Sequence, residues 1–220
     1  MDKTNPADWY SVKAKSIITV SDAQGIQDSM KRGKGVRGID YTVSSVSRMD
    51  QLDGLSTHLF FTLDDPEQSV NLLVKIVDNA VDLYLYFPVP GLDPGSRTDF
   101  LDRGMQWLFQ EPADPNNFTP EELRYTMSLR QTIQNGNSQT EVIYNLKGQG
   151  ELQCKYRETP PRSGMSQDLL ATVVEYRADQ QVENPEFLIM EVGEQRSNRS
   201  YVQFYLGCPI KFSEVDVLSI

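Results

Sequence analysis

Residues 82–108 read DLYLYFPVPGLDPGSRTDFLDRGMQWL, and their pattern returns sixty-nine residues later, in residues 151–177, as ELQCKYRETPPRSGMSQDLLATVVEYR. In that register Leu83, Leu85 and Phe87 fall on Leu152, Cys154 and Tyr156, Gly95 falls on Gly164, and Asp99 falls on Asp168. Each copy reads as an alternating strand, a Pro/Gly loop and then a helix. Ser96 and Ser166 stand at N-cap positions. The apolar stripes behind them are Phe100, Leu101, Met105 and Leu108 in the first copy, and Leu169, Leu170, Val173 and Val174 in the second.

The correspondence extends upstream. Asn71–Val77 lies over Thr140–Leu146, and Leu55–Leu63 over Tyr125–Ile133, with polar hairpin turns at residues 64–67 and 135–137. Only four identities (Leu83, Gly95, Asp99, Leu101) link 71–108 to 140–177, so the repeat rests on periodicity and not on conserved chemistry. The fold class it predicts is α+β: antiparallel sheet with helices on one face, built from two tandem β-β-β-α units at residues 51–110 and 118–180.

An N-terminal β-α-β extension (residues 1–50) and a C-terminal hairpin (residues 185–220) complete the expected architecture. The first strand is read over Tyr10–Val20. A helix follows over residues 21–33, where Ser21-Asp22-Ala23-Gln24 has capping-box spacing, and a strand over Ile39–Met49. Phe187–Val192 and Ser200–Leu206 form the closing hairpin, and Ile210–Ile220 alternates weakly as an edge strand. Glu111–Asn117 is the expected linker, and Thr119–Glu122 reads as the capped start of a short helix.

At 220 residues and 39% hydrophobic content the chain can bury a substantial core. Its net charge of −10 is uneven. Residues 1–50 hold eight basic and six acidic side chains, leaving 13 basic and 25 acidic in the remainder. So acidic a body opposes nucleic-acid binding, which depends on cations meeting phosphates. No apolar run has the length of a membrane helix, MDKTNPADWY lacks a signal-peptide core, and two cysteines make no disulfide framework. The expected location is the cytoplasm.

Lys31–Gly38 (KRGKGVRG) contains a formal GxGxxG. A dinucleotide fingerprint needs a strand before it and a helix after, because the helix N-terminus holds the pyrophosphate. Here the order is reversed, and the bland reading is a solvated loop. The sharper one is anion binding by Lys31, Arg32, Lys34 and Arg37, which keeps a phosphate- or nucleotide-binding function as an alternative.

A nucleophilic triad would need His58, the only histidine, as its base. No GxSxG, HExxH, CxxC or P-loop occurs, so no cofactor or metal is expected. An enzyme using His58 or a carboxylate pair remains a second alternative. The remaining signal is aromatic: Tyr84 and Tyr86, with Phe60, occupy the strand face opposite Leu83, Leu85 and Phe87, where the second copy has Gln153 and Lys155. This aromatic face needs a cover, which is the second repeat, a second copy or a partner polypeptide, and Phe60, Tyr84 and Tyr86 are therefore candidate partner contacts.

Three-strand-plus-helix units, with Leu92-Asp93-Pro94 and Met165-Ser166-Gln167-Asp168-Leu169-Leu170 leading into helices, resemble YbjN-type proteins, which are similar in fold to type III secretion chaperones. The resemblance implies a non-enzymatic, chaperone-like module that binds other polypeptides, often as a dimer. It covers at most Leu55–Arg177 and supplies no catalytic residues.

Overall fold

The computed structural model describes residues 1–20, 40–64, 70–89, 126–132, 139–147, 152–161, 169–178, 182, 184–194 and 200–218. Among these residues one short α-helix, α1 (Pro6–Tyr10), precedes twelve strands, and a single 3-10 turn (Phe212–Glu214) lies before the last of them. The strands are β1 (Ile17–Val20), β2 (Asp40–Gln51), β3 (Ser56–Asp64), β4 (Val70–Val77), β5 (Ala80–Pro88) and β6 (Thr126–Thr132), then β7 (Gln139–Leu146), β8 (Leu152–Thr159), β9 (Leu169–Ala178), β10 (Glu186–Glu194), β11 (Ser200–Ile210) and β12 (Val215–Leu218).

Eight of these strands close on themselves. β2-β3-β4-β5 is one antiparallel meander and β8-β9-β10-β11 is another. First strand pairs with first strand (Val46↔Thr159 to Gln51↔Cys154), and last pairs with last (Leu83↔Ile210 to Pro88↔Tyr205). The result is a closed eight-stranded antiparallel barrel, which leaves the ring itself no open edge.

β8 is shorter than its neighbours, so β2 and β9 each extend past it. The free half of β2 pairs with β1, which pairs in turn with β12. The free end of β9 pairs with β7, which pairs with β6. A β-bulge between Val43 and Ser45 shifts β2 where it leaves the ring.

Both faces of the wall are consequently buried. Outside β3–β5, the side chains of Leu59, Phe61, Leu72, Val74, Leu83 and Leu85 pack under Trp9, Val12, Ile18, Val20 and Val215. Asn5 caps α1 by accepting from the Ala7 amide, Pro6 opens it, and Trp9 packs its ring 6.0 Å from that of Phe61. Outside β9–β11, Val174, Tyr176, Phe187, Ile189 and Phe204 pack under Val142 and Tyr144. The lumen holds the third cluster, to which all eight ring strands contribute, among them Met49, Phe60, Leu73, Tyr86, Cys154, Ala171, Leu188 and Tyr205.

The α+β expectation is thereby overturned: the chain is an antiparallel β-barrel and not a pair of β-β-β-α units with helices on one face. Residues 169–177, read as the second helix, are β9. Leu169, Ala171 and Val173 face the lumen while Val174 and Tyr176 face the outer core, and a strand buried on both sides shows the same apolar density as a helix stripe. The β-branched run Thr172-Val173-Val174 tips that ambiguity toward strand. The resemblance to YbjN-type proteins and secretion chaperones falls with the helices, and so does the support it lent to a chaperone-like, protein-binding role.

The repeat treats β5 and β8 as equivalent strands, whereas β8 opens its meander as β2 does and β5 closes its meander as β11 does. At the N-terminus the expected strand over Tyr10–Val20 is a helix to Tyr10 and a strand only from Ile17. The helices expected at residues 21–33 and 96–108, the linker at 111–117 and the short helix at 119–122 lie outside the described residues. No helix among the described residues is long and apolar enough to cross a membrane.

Candidate functional site: a charged layer across the barrel

Strand pairing fixes which side chains share the lumen, because directly opposed residues point to the same face. Met49, His58, Lys75 and Asp82 follow one another across β2–β5, and Leu188 stands opposite Glu175, as Glu186 does opposite Arg177, across β10 and β9. One end of the lumen is therefore charged, while the remainder is mostly apolar and aromatic, with Ser47 and Asn71 as its buried polar groups.

β4 and β9 stand opposite each other in the ring, with three strands between them either way round. Lys75 reaches across from β4 and its Nζ donates to Glu175 Oε2. His58 Nε2 lies 3.8 Å from the other oxygen, Glu175 Oε1. Beside this crossbar Lys147, the residue after β7, donates from Nζ to Glu186 Oε2 at 3.0 Å, and Arg177 Nε is 3.7 Å from Glu186 Oε1. The Lys147 ammonium also lies 5.4 Å from the centre of the Tyr84 ring, within cation–π range. The backbone holds it there, since the Lys147 amide donates to the Glu175 carbonyl at 2.8 Å.

His58 is buried to 1% exposure, and among the described residues its Nε2 has no hydrogen-bond partner. Burial lowers its pKa to about 4, against the opposing pull of Glu175, so the imidazole is neutral at neutral pH. Burial pushes the Glu175 carboxyl up, but Lys75, His58 and Lys147 outweigh it and hold the group below the usual carboxylate range. Burial lowers the Lys147 pKa, but Glu186 and the other groups facing it raise it further, and the ammonium stays charged. Burial raises both Tyr84 and Tyr86, and it takes the Cys154 thiol up to about 12.

Below the charged layer the lumen is filled by rings. Phe60 packs 5.0 Å from Tyr205, Tyr86 lies 6.4 Å from each of them, and Tyr84 lies 6.2 Å from Tyr86. At the far side Ser47 Oγ and Tyr156 OH are hydrogen-bonded at 2.8 Å, and Tyr201 OH donates to Tyr156 OH at 3.4 Å.

The candidate contacts Phe60, Tyr84 and Tyr86 thus come together, but they face the lumen. Phe60 and Tyr86 are each 2% exposed and Tyr84 is half-buried. Leu83 and Leu85 are core residues as expected, but their core is the layer outside the ring, beneath Trp9, and the aromatic face opposite them is covered by the far wall of the barrel. Lys31, Arg32, Lys34 and Arg37 lie outside the described residues. Lys75, Lys147, Glu175, Glu186 and Arg177 were not anticipated. The available signal was a lone charge within an apolar run, Lys75 in NLLVKIV and Glu175 in LLATVVEYR. Among the described residues no three His, Cys, Asp or Glu side chains converge as a metal site would require. Compared with protein-family models, with curated proteins and with solved structures, the chain matches none.

Proposed function

We propose that this chain is a non-catalytic binding barrel that takes a small molecule at the charged end of its lumen. The observation that carries this reading is His58, wholly buried inside the ring, its Nε2 without a hydrogen-bond partner among the described residues, beside the Lys75–Glu175 crossbar. A buried polar atom without a partner costs about 1–3 kcal/mol. A buried ion pair stabilises a fold no better than well-packed apolar residues of equal volume. Stability alone does not explain a layer with both features, whereas recognition of a polar ligand does.

The protonation states favour binding over acid–base catalysis. Proton transfer at neutral pH is served best by a group whose pKa lies near 7. Burial and pairing instead drive His58 down to about 4, Glu175 down, and Lys147, Tyr84 and Tyr86 up, which gives a layer of fixed charges.

The test is to follow the His58 imidazole resonances by NMR while adding three indoles that differ only in side-chain charge: tryptamine, tryptophol and indole-3-acetate. Saturable shifts of His58 with at least one of them are expected. His58 resonances that none of the three displaces at millimolar concentration would overturn the reading.

A further inference from the structure

The surroundings of Lys147 have the composition of an ammonium site. Its Nζ has the face of Tyr84 on one side, at 5.4 Å from the ring centre, and the Glu186 carboxylate on the other at 3.0 Å. Glu186 is 2% exposed and Glu175 8%, so both carboxylates are fixed in the wall, while the Lys147 side chain retains 28% exposure. An aromatic face combined with desolvated carboxylates is the chemistry that recognises amines. Lys147 follows the last residue of β7 and enters this site from the covering hairpin, outside the ring. Nothing in the closure of the barrel requires an ammonium from that direction.

Room for the remainder of a ligand adjoins the site. A cleft of about 290 Å³ opens at the rim where β5 and β11 part, walled by Val81, Leu83, Ile210 and Phe212 of the outer layer together with Tyr84 and Pro209, with Asp82 and Lys211 also lining it. Tyr84 belongs to both places, with Lys147 over its ring and the cleft at its margin. The size is at the lower end for small-molecule sites and suits one single or fused ring. The charges acting on the Tyr84 hydroxyl are three carboxylates (Asp82, Glu186, Glu175) and one ammonium, that of Lys147. Lys211, which also lines the cleft, is 82% exposed and is 3.7 Å from Glu214, which offsets its charge. A net charge of −10 over the whole chain also draws cations toward the surface.

We propose, building on the binding reading above, that the ligand is a small amine with an apolar ring: its ammonium takes the place of the Lys147 head between Tyr84 and Glu186, and its ring lies in the β5–β11 cleft. Lys147 is then the internal occupant of a site made for an external amine. When the amine binds, the Lys147 ammonium swings to solvent, which its partial exposure allows.

Calorimetric titration of the full chain with tryptamine, tryptophol and indole-3-acetate tests the proposal. The wild type is expected to bind tryptamine at least tenfold tighter than either of the others. Lys147→Ala removes the competitor and is expected to tighten tryptamine at least tenfold, with a rise in the variant's Tm on tryptamine that tryptophol does not reproduce. Asp82→Asn alters an exposed carboxylate, leaves folding unaffected, and is expected to weaken tryptamine three- to tenfold. Equal or tighter binding of indole-3-acetate or tryptophol would overturn the amine assignment while leaving a binding barrel in place. Binding of none of the three would remove the binding reading as well. If Lys147→Ala does not fold, an Asp82→Asn protein that binds tryptamine as the wild type does would overturn the proposal by itself.

Discussion

Lys75 and Glu175 form an ion pair across the diameter of the barrel, from strands that share no backbone hydrogen bond and stand opposite each other in the ring. The pair ties together the two meanders, β2–β5 and β8–β11, at the level where His58 is buried. Its long side chains occupy the width that apolar residues fill elsewhere in the lumen.

Removing one member of this pair is expected to be costly. Lys75→Met leaves the Glu175 carboxylate, 8% exposed, without its ammonium, and should destabilise the protein by about 3–5 kcal/mol. The double replacement Lys75→Met/Glu175→Leu restores an apolar filling and should recover most of that loss. Urea unfolding of the single and double variants measures the coupling. A double variant no more stable than the single would show that the layer is held by contacts other than this pair.

His58 makes stability depend on pH with a definite sign. Its native pKa of about 4 lies below the ordinary 6.5, so the unfolded chain takes up a proton that the native state refuses. Stability is unaffected by this group above pH 6.5 and declines as pH falls from 6.5 toward 4. Between pH 7 and pH 5 the loss amounts to about 2 kcal/mol. Glu175, whose native pKa is lowered, adds a loss in the same direction as pH falls further, through the carboxylate range. Denaturant melts at pH 7 and pH 5 should show His58→Gln losing less stability between the two than the wild type does.

The β5–β11 seam depends on a glycine. Gly207 stands opposite Tyr86, and a Cβ at that position would come within 2.5 Å of Tyr86 Cδ1 and 2.8 Å of the Leu85 carbonyl oxygen. The tyrosine ring lies where a side chain on β11 would otherwise stand. Gly207→Ala should therefore displace Tyr86 and cost about 1–3 kcal/mol in thermal unfolding. Adding Tyr86→Leu, which gives up the ring, should recover part of that loss.

Much of the strand content was legible in the sequence, because period-two alternation survives wherever one face is aromatic or polar. His58, Phe60, Tyr84 and Tyr86 alternated correctly with Leu59, Phe61, Leu83 and Leu85. Sidedness was not legible. A wall buried on both faces gives no polar side to mark the exterior, so the sequence shows that the leucine face is core and the tyrosine face needs a cover, but not which of them lines a lumen. β9 was lost to a helix for the same reason. Closure was hidden as well, because β2 meets β8 across about a hundred residues, and nothing local in either strand names its partner. The charged layer was visible only as solitary charges, Lys75 and Glu175, whose pairing exists in space alone.

The account rests on ring closure by β2–β8 and β5–β11, and backbone nuclear Overhauser contacts on isotope-labelled protein test it most directly. Cross-strand contacts are expected between Arg48 and Arg157 and between Tyr86 and Gly207, with slow amide exchange through both seams. Helical sequential contacts over residues 169–177, with no contact between residues 46–51 and 154–159, would contradict the barrel and the site built within it.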